Sequence, residues 1–432
     1  MLSSGSTVAN FDEAAAPSPP VSGLSGFGYG AAMFDVASAR AAFPALTRTK
    51  GGHPVAYLDG PGGTQVPESV IAAMSGVLEA GVSNLGGGFD SSRLAEEVTD
   101  SARQAAADLF GAADTEEIVF GQNMTSLTFS LSRALARSWR PGDRILVTSL
   151  DHDANVTPWR LAAADAGVAV DMVRFDSGTW TVAADSVGDL LTDRTRVVAF
   201  THASNAIGSI PDVAAIVEVA HAAGALTYVD AVHYAPHGVV DVAATGTDFL
   251  VASSYKFFGP HTGVLYGRRK LLDGLDAYKV RPAPASGGGK WETGTQSFES
   301  LAGVTAAVDY LASLGEGPDR RTRLIDGHAR VEAYLVGLTE RFLGGLGDDV
   351  TLYGIGGSTG RTPTFAVNVA GVAPDVVAAR LGEAGLLVWA GHYYAIEPMS
   401  QLGLLDTGGA VRIGFVHTTT EEEVDRLLEA LA

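Results

Sequence analysis

The sequence predicts an α/β protein: a mainly parallel, seven-stranded sheet sandwiched by helices, followed by a smaller C-terminal α+β domain. Three observations predict it. Short apolar runs alternate with amphipathic stretches through much of the chain; 432 residues, 46% of them hydrophobic and 18% charged, are enough for a large domain with a smaller one attached; and beyond residue 300 the pattern shifts to long helices with short strands. Alternating strand and helix calls for crossover connections, hence parallel pairing with both sheet faces covered.

Residues 1–32 are rich in Ser, Gly, Ala and Pro without helical or strand period, and read as a mobile tail. Gly26, Gly28 and Gly30 there lack the preceding strand and the spacing of a dinucleotide loop. The large domain is expected over 33–300, with 33–59 available to pack on the small domain, 301–432. Apolar runs at 117–121, 144–149, 168–175, 196–202, 226–230, 248–253 and 263–267 read as strands. Apolar spacings of three and four predict helices at 92–110, 125–137, 155–166 and 211–223, and in the small domain at 301–314, 323–343 and 420–432.

The formal charge, 29 − 49 = −20, repels phosphate backbones and anionic membrane surfaces, which argues against a nucleic-acid or membrane partner. The sequence contains no cysteine, so disulfides, thiolate metal sites and a cysteine nucleophile on this chain are excluded. No apolar run reaches membrane-spanning length and the first residues lack a secretory pattern, so a cytoplasmic protein is expected.

In parallel sheets ligands bind beyond the carboxyl ends of the strands, so the residues there are read first. Lys256, one of five lysines, follows the 248–253 run and precedes two phenylalanines. Burial lowers a lysine's pKa and frees its amine as a nucleophile suited to a Schiff base; a snorkelling surface lysine is the equal alternative on this stretch alone. Asp230 closes the apolar strand 226–230, 26 residues earlier, where a carboxylate can pair with a pyridinium nitrogen or cap a helix. Asn123, the amide of Met124 and Thr125 open a helix and form a phosphate nest or a plain cap, and Ser253 offers a further hydroxyl. His152 and Asn205 follow two more strands, one placed to stack on a ring and the other to donate to its oxygen. His233 and His237 have the i, i+4 spacing of a metal pair, but Pro236 interrupts the helix such a pair needs, so no metal is expected. Gly60–Gly63 and Gly86–Gly88 lack the GK[ST] of a P-loop and read as turns lining the pocket.

With Tyr57-Leu-Asp-Gly-Pro-Gly-Gly, Asp151-His-Asp-Ala-Asn, His202-Ala-Ser-Asn, Asp230-Ala-Val-His, Ser253-Ser-Tyr-Lys, Trp291-Glu-Thr-Gly-Thr and Val411-Arg-Ile-Gly, the chain from Tyr57 onward resembles the fold-type I pyridoxal 5′-phosphate (PLP) enzymes of the class V aminotransferase and cysteine desulfurase family. The resemblance implies PLP as cofactor, bound as a Schiff base at Lys256, with Asp230 on the pyridine nitrogen, His152 stacked on the ring, and Asn205 and His233 near its oxygen. It implies Ser253 and Tyr255 at the phosphate, Thr295 reaching the phosphate of a second subunit in a homodimer whose active site lies at the interface, and Arg412 on the substrate carboxylate.

Two departures narrow the reaction. Where desulfurases carry a sulfur-accepting cysteine, this chain has His392, Tyr393 and Tyr394 beside the substrate, with Tyr394 at the cysteine position. Trp389 stands where the family carries an arginine. The resemblance therefore implies a desulfurase-like C–S lyase acting on an amino acid through an external aldimine, by β-elimination and without a protein persulfide. A class V aminotransferase or an amino-acid epimerase is the alternative, and a non-catalytic PLP-binding scaffold a further one. A nicotinamide dehydrogenase would need a glycine fingerprint that is missing.

Overall fold

A computed structural model describes residues Phe34–Ala432, which form one compact unit. The expected tail and its glycines lie outside the described residues. The large sheet consists of β1 (Ile118–Gly121), β2 (Arg144–Thr148), β3 (Ala169–Val173), β4 (Thr195–Thr201), β5 (Leu226–Asp230), β6 (Phe249–Ser253) and β7 (Gly263–Gly267). Their order is β1-β7-β6-β5-β4-β2-β3, parallel throughout except that β7 runs antiparallel to both neighbours.

The two-residue period of these strands divides the core. Phe120, Leu146, Val198, Phe200, Val229, Leu250 and Val264 pack into one apolar layer, while Val119, Ile145, Val147, Val197, Tyr228, Val251 and Leu265 pack into the other. Burying both faces explains why the strands read as nearly continuous apolar runs.

Among the described residues, nine helices of ten residues or more cover the sheets or brace them: α1 (Glu68–Ala80), α2 (Asp90–Phe110), α3 (Met124–Ala136), α4 (Thr157–Ala166), α5 (Val213–Ala222), α6 (Phe298–Ser313), α7 (Arg320–Gly344), α8 (Pro374–Glu383) and α9 (Glu421–Leu431). Leu127, Leu131 and Leu135 turn one face of α3 into the second layer, each worth about 1.5–3 kcal/mol on full burial. Asp212 caps α5 through the Ala215 amide at 3.0 Å, and Thr420 with Glu423 closes a capping box on α9. Helix α4 starts two residues later than the sequence pattern predicts, because His152 caps a 3₁₀ turn at Asp153–Asn155 and Pro158 sets the first helical turn.

The C-terminal sheet holds β8 (Val350–Tyr353), β9 (Thr364–Val369), β10 (Trp389–Gly391) and β11 (Ala410–Gly414) in the antiparallel order β8-β9-β11-β10. Phe342, Phe365 and Phe415 stack beneath it at centroid distances of 4.5–5.6 Å. Ala56–Tyr57 pairs in parallel with Leu386–Leu387, and the Gly414 amide donates to Leu58 O at 2.8 Å. The Tyr57–Gly63 segment is thereby laid against β11. Among the described residues no helix is long and apolar enough to cross a membrane.

Candidate active site

The carboxyl ends of β2, β4, β5 and β6 open at one edge of the large sheet, and β11 approaches from the C-terminal sheet. At the end of β6, Lys256 closes a 3₁₀ turn and is buried, its Nζ donating to Pro61 O at 2.6 Å. Burial drives its pKa down to about 8, the nearby Arg412 adds to this, and Asp230 and Asp59 oppose it. At the end of β5, Asp230 is buried and accepts from the Val232 amide at 2.9 Å. Burial raises its carboxyl to about 6, against the pull of that hydrogen bond and of Lys256.

His152 follows β2. Its Nδ1 accepts from the Ala154 amide at 3.0 Å, which fixes the tautomer with the proton on Nε2 when the ring is neutral. Burial and the cations Lys256 and Arg412 push its pKa down to about 3, so the ring is neutral. The turn that presents it is held by Asp151, which is fully buried, bonded to the Thr148 hydroxyl and receives the Asn155 amide at 2.7 Å. Desolvation raises the Asp151 carboxyl well above its usual range.

Met124, Thr125, His152, Asn205, Asp230, His233, Tyr255 and Lys256 line one narrow cavity. Two of its walls differ from the sequence expectation. Asn123 does not line it: its side chain accepts from the Ser126 amide at 2.9 Å and caps α3, the plainer of the two readings. The Met124 amide is donated at 3.2 Å to the Ser253 hydroxyl. Gly86–Gly88 line neither this cavity nor the neighbouring cleft, and the Gly87 amide donates to Ser92 Oγ at 2.7 Å, whereas Gly62 and Gly63 do line the neighbouring cleft. Thr295 is exposed and meets Asn84 Nδ2 at 3.4 Å, away from this chain's own cavity.

Asn205 donates from Nδ2 to Tyr393 O at 3.1 Å, while its buried Oδ1 has no partner among the described residues. His233 Nε2 lies 3.0 Å from the hydroxyls of both Thr362 and Thr364, with burial holding its pKa far below the usual value. Tyr255 stacks on His261 at 4.8 Å. Asn205 does not present the free donor that the sequence predicts for the ring's oxygen, because its Nδ2 is already given to Tyr393 O. The rest of the set fits PLP: a buried carboxyl for the ring nitrogen, a neutral imidazole on the wall, and a lysine amine with a depressed pKa at the end of the cavity.

Arg412, on β11, is buried and is not wholly free for a substrate, as the sequence reading supposes. Its Nε and Nη2 donate to Asp59 Oδ1 at 3.1 and 2.9 Å, and Nη1 donates to Asn205 O at 3.3 Å. A guanidinium has five N–H groups, so two remain. Asp59 is the residue the sequence reading missed. It lies inside the Tyr57–Gly63 motif, but its partner is 353 positions away. Burial raises the Asp59 carboxyl above its ordinary value, although Arg412 and Lys256 both pull it down.

The loop after β10 completes the wall. Tyr393 and Tyr394 both adopt left-handed backbone, φ 38° and 58°, a conformation that side chains avoid at a cost of about 1–2 kcal/mol each. The strained turn sets the buried Tyr393 ring 4.6 Å from the Arg412 guanidinium and stacks the exposed Tyr394 on His152 at 5.4 Å. Asp153 N donates to Tyr394 O at 2.8 Å and ties this loop to the large sheet. The Tyr393 hydroxyl is buried without a partner among the described residues, and His392, exposed, accepts the Tyr394 amide at 3.2 Å.

The sequence profile of the aminotransferase class-V family matches residues 56–427. A protein of Mycobacterium tuberculosis, "Uncharacterized protein MT3887", is 31% identical over 402 residues, covering 92% of this chain and 99% of that one. A probable cysteine desulfurase of Mycolicibacterium paratuberculosis is 32% identical over 92% of this chain, which spans 58% of that longer relative. Among solved structures, the cysteine desulfurase CsdA of Escherichia coli superposes with a TM-score of 0.80 at 27% identity, covering 92% of this chain and 98% of its own.

Proposed function

This chain belongs to the class V aminotransferase family of PLP-dependent enzymes, and we propose that it is a cysteine desulfurase-like C–S lyase. On this reading it cleaves a sulfur-bearing amino acid by β-elimination and passes no sulfur to a residue of its own. The observation that carries it is the buried Lys256, whose amine has a pKa of about 8 and lies among Asp230, Asp59 and Arg412, in a sequence with no cysteine.

PLP, when bound, supplies a sink for the electron pair left at the substrate's Cα. Lys256, Asp230, His152, Asn205 and His233 are the residues assigned to hold it, with Met124, Thr125, Ser253 and Tyr255 toward its phosphate. Asn123 acts by capping the helix that presents that edge. The two remaining N–H groups of Arg412 take the substrate carboxylate, a planar acceptor matched to its fork. Lys256, deprotonated far more readily than an exposed lysine, accepts the Cα proton. Tyr393, kept protonated by burial, is nearest the carboxylate end and hands a proton to the departing sulfur, with His392 and Tyr394 at the mouth. On the same reading the chain works in the cytoplasm as a homodimer, with Thr295 facing the second subunit's site.

The test is product analysis of PLP-loaded protein with cysteine, cystine and alanine. Sulfur release with equimolar pyruvate supports the proposal. Stoichiometric pyridoxamine phosphate and keto acid, without pyruvate from cysteine or sulfide, overturns it in favour of transamination, and racemised substrate overturns it in favour of epimerisation.

A further inference from the structure

We infer that the substrate is an S-substituted cysteine bearing a bulky apolar or aromatic group, and that this group sits in the cleft beside Lys256. The inference rests on the C–S lyase reading and deepens it. The cleft has a volume of about 880 Å³. A water molecule's share of liquid volume is about 30 Å³, so an unsubstituted thiol would leave nearly all of the cleft to solvent. Its walls are mainly apolar, with Val66, Ile71 and Met74 contributed by α1 and the segment before it and Val388 and Trp389 by β10 and the residue before it. Such a cavity, with a few convergent polar groups at one end, is the usual form of a small-molecule site.

The polar end is where the chemistry lies. Asp59, the partner of Arg412, is on the wall of the cleft, and Tyr255 lines both the cleft and the cavity that contains Lys256. A substrate with its carboxylate on Arg412 and its Cα proton at Lys256 has this space for its side chain. Trp389 strengthens the assignment. It is the cross-strand partner of Arg412 in the β10–β11 register, so the two side chains leave the same face of the sheet. Its indole is 57% exposed, and Ile71 on α1 is 42% exposed. Two large apolar side chains facing one cleft beside a carboxylate-binding arginine are covered when an apolar substituent enters.

The step balances without an oxidant. The Cα proton passes to Lys256, the C–S bond breaks with its electron pair going to sulfur, and the sulfur takes a proton to leave as a thiol. One water is consumed in releasing pyruvate and ammonium.

The experiment compares kcat/KM of the PLP-loaded chain for S-benzyl-L-cysteine, S-methyl-L-cysteine and L-cysteine, in wild type, Ile71→Trp and Trp389→Ala, with sedimentation of each protein. The S-benzyl compound is expected to exceed the S-methyl compound at least tenfold. Ile71→Trp, which fills the cleft from an exposed position, lowers the ratio of S-benzyl to S-methyl kcat/KM tenfold or more. Trp389→Ala raises KM for S-benzyl with kcat largely kept. Equal rates for the two substituents, an equal loss on both in Ile71→Trp, or a change of oligomeric mass in either variant overturns the inference; the last would mean that a second copy covers the cleft. Pyruvate from L-cysteine or S-methyl-L-cysteine alone overturns this inference only, whereas pyruvate from no member of the panel overturns the C–S reading itself.

Discussion

Replacing Asp59 by Asn tests the joint between the two sheets. The substitution keeps an acceptor of the same shape and removes the charge. In the native chain Asp59 Oδ1 receives two N–H groups of Arg412, with side-chain exposures of 4% for Arg412 and 19% for Asp59. Hydrogen bonds to charged groups are worth about 1.5–3 kcal/mol each, and removing one member of a buried pair costs about 3–5 kcal/mol. The partial exposure of Asp59 on a water-accessible cleft brings the expected loss down to about 1–3 kcal/mol. The assay is urea unfolding of the cofactor-free protein, read beside the pH dependence of Lys256 labelling by an amine-directed reagent. Since Asp59 raises the Lys256 pKa, its loss moves the labelling midpoint below the native value of about 8. In the loaded enzyme KM for the amino acid rises more than kcat falls, because the Arg412 fork loses its anchor. Unchanged stability, within about 0.5 kcal/mol, together with an unmoved Lys256 midpoint would refute the pairing.

Three further outcomes are expected. In the cofactor-free native protein Lys256 is labelled with a midpoint near pH 8, and after denaturation near the ordinary lysine value; a native midpoint equal to the denatured one contradicts the burial argument. His202, His237 and His417 are held by burial at about 3, and His328 at about 4, against about 6.5 when unfolded, so the unfolded chain binds more protons below pH 6.5 and stability is lost as the pH falls toward the folded values. Each histidine accounts for about 1.4 kcal/mol between pH 7.5 and 5.5, and His328→Leu should shrink the native loss over that interval by this amount in paired urea titrations; an unchanged loss contradicts it. A Cβ on Gly263 would lie 2.4 Å from the Asn123 carbonyl carbon, so Gly263→Ala should displace the start of α3, destabilise the fold by about 1–3 kcal/mol and weaken PLP binding; native PLP affinity in the variant contradicts that placement.

What was legible in the sequence follows from how local each signal is. The strands of the large sheet are short apolar runs with turns between them, and β1 to β7 match the predicted runs because both faces are buried, β4 alone starting one residue earlier than predicted. Asp230 ends a strand and Lys256, His152 and Asn205 each follow one, so the topology brings them to one edge without further information. Asp59 carries no such signal: its role depends on β11 being laid beside the Tyr57–Gly63 segment, a contact between distant parts of the chain. Asn123 shows the opposite failure. The same residue type serves a helix cap and a phosphate nest, and only the bond to the Ser126 amide separates them. Trp389 could be seen to depart from the family pattern, but its exposure beside Arg412 depends on the β10–β11 register.

The central claim is a PLP site built on Lys256, and the most direct test is an absorbance spectrum of the protein incubated with PLP, before and after borohydride, followed by peptide mass analysis. A visible band that reduction removes and a cofactor-sized mass fixed on the peptide containing Lys256 are expected, and neither in Lys256→Ala. No band, or a mass fixed on one of the other four lysines instead, would contradict it.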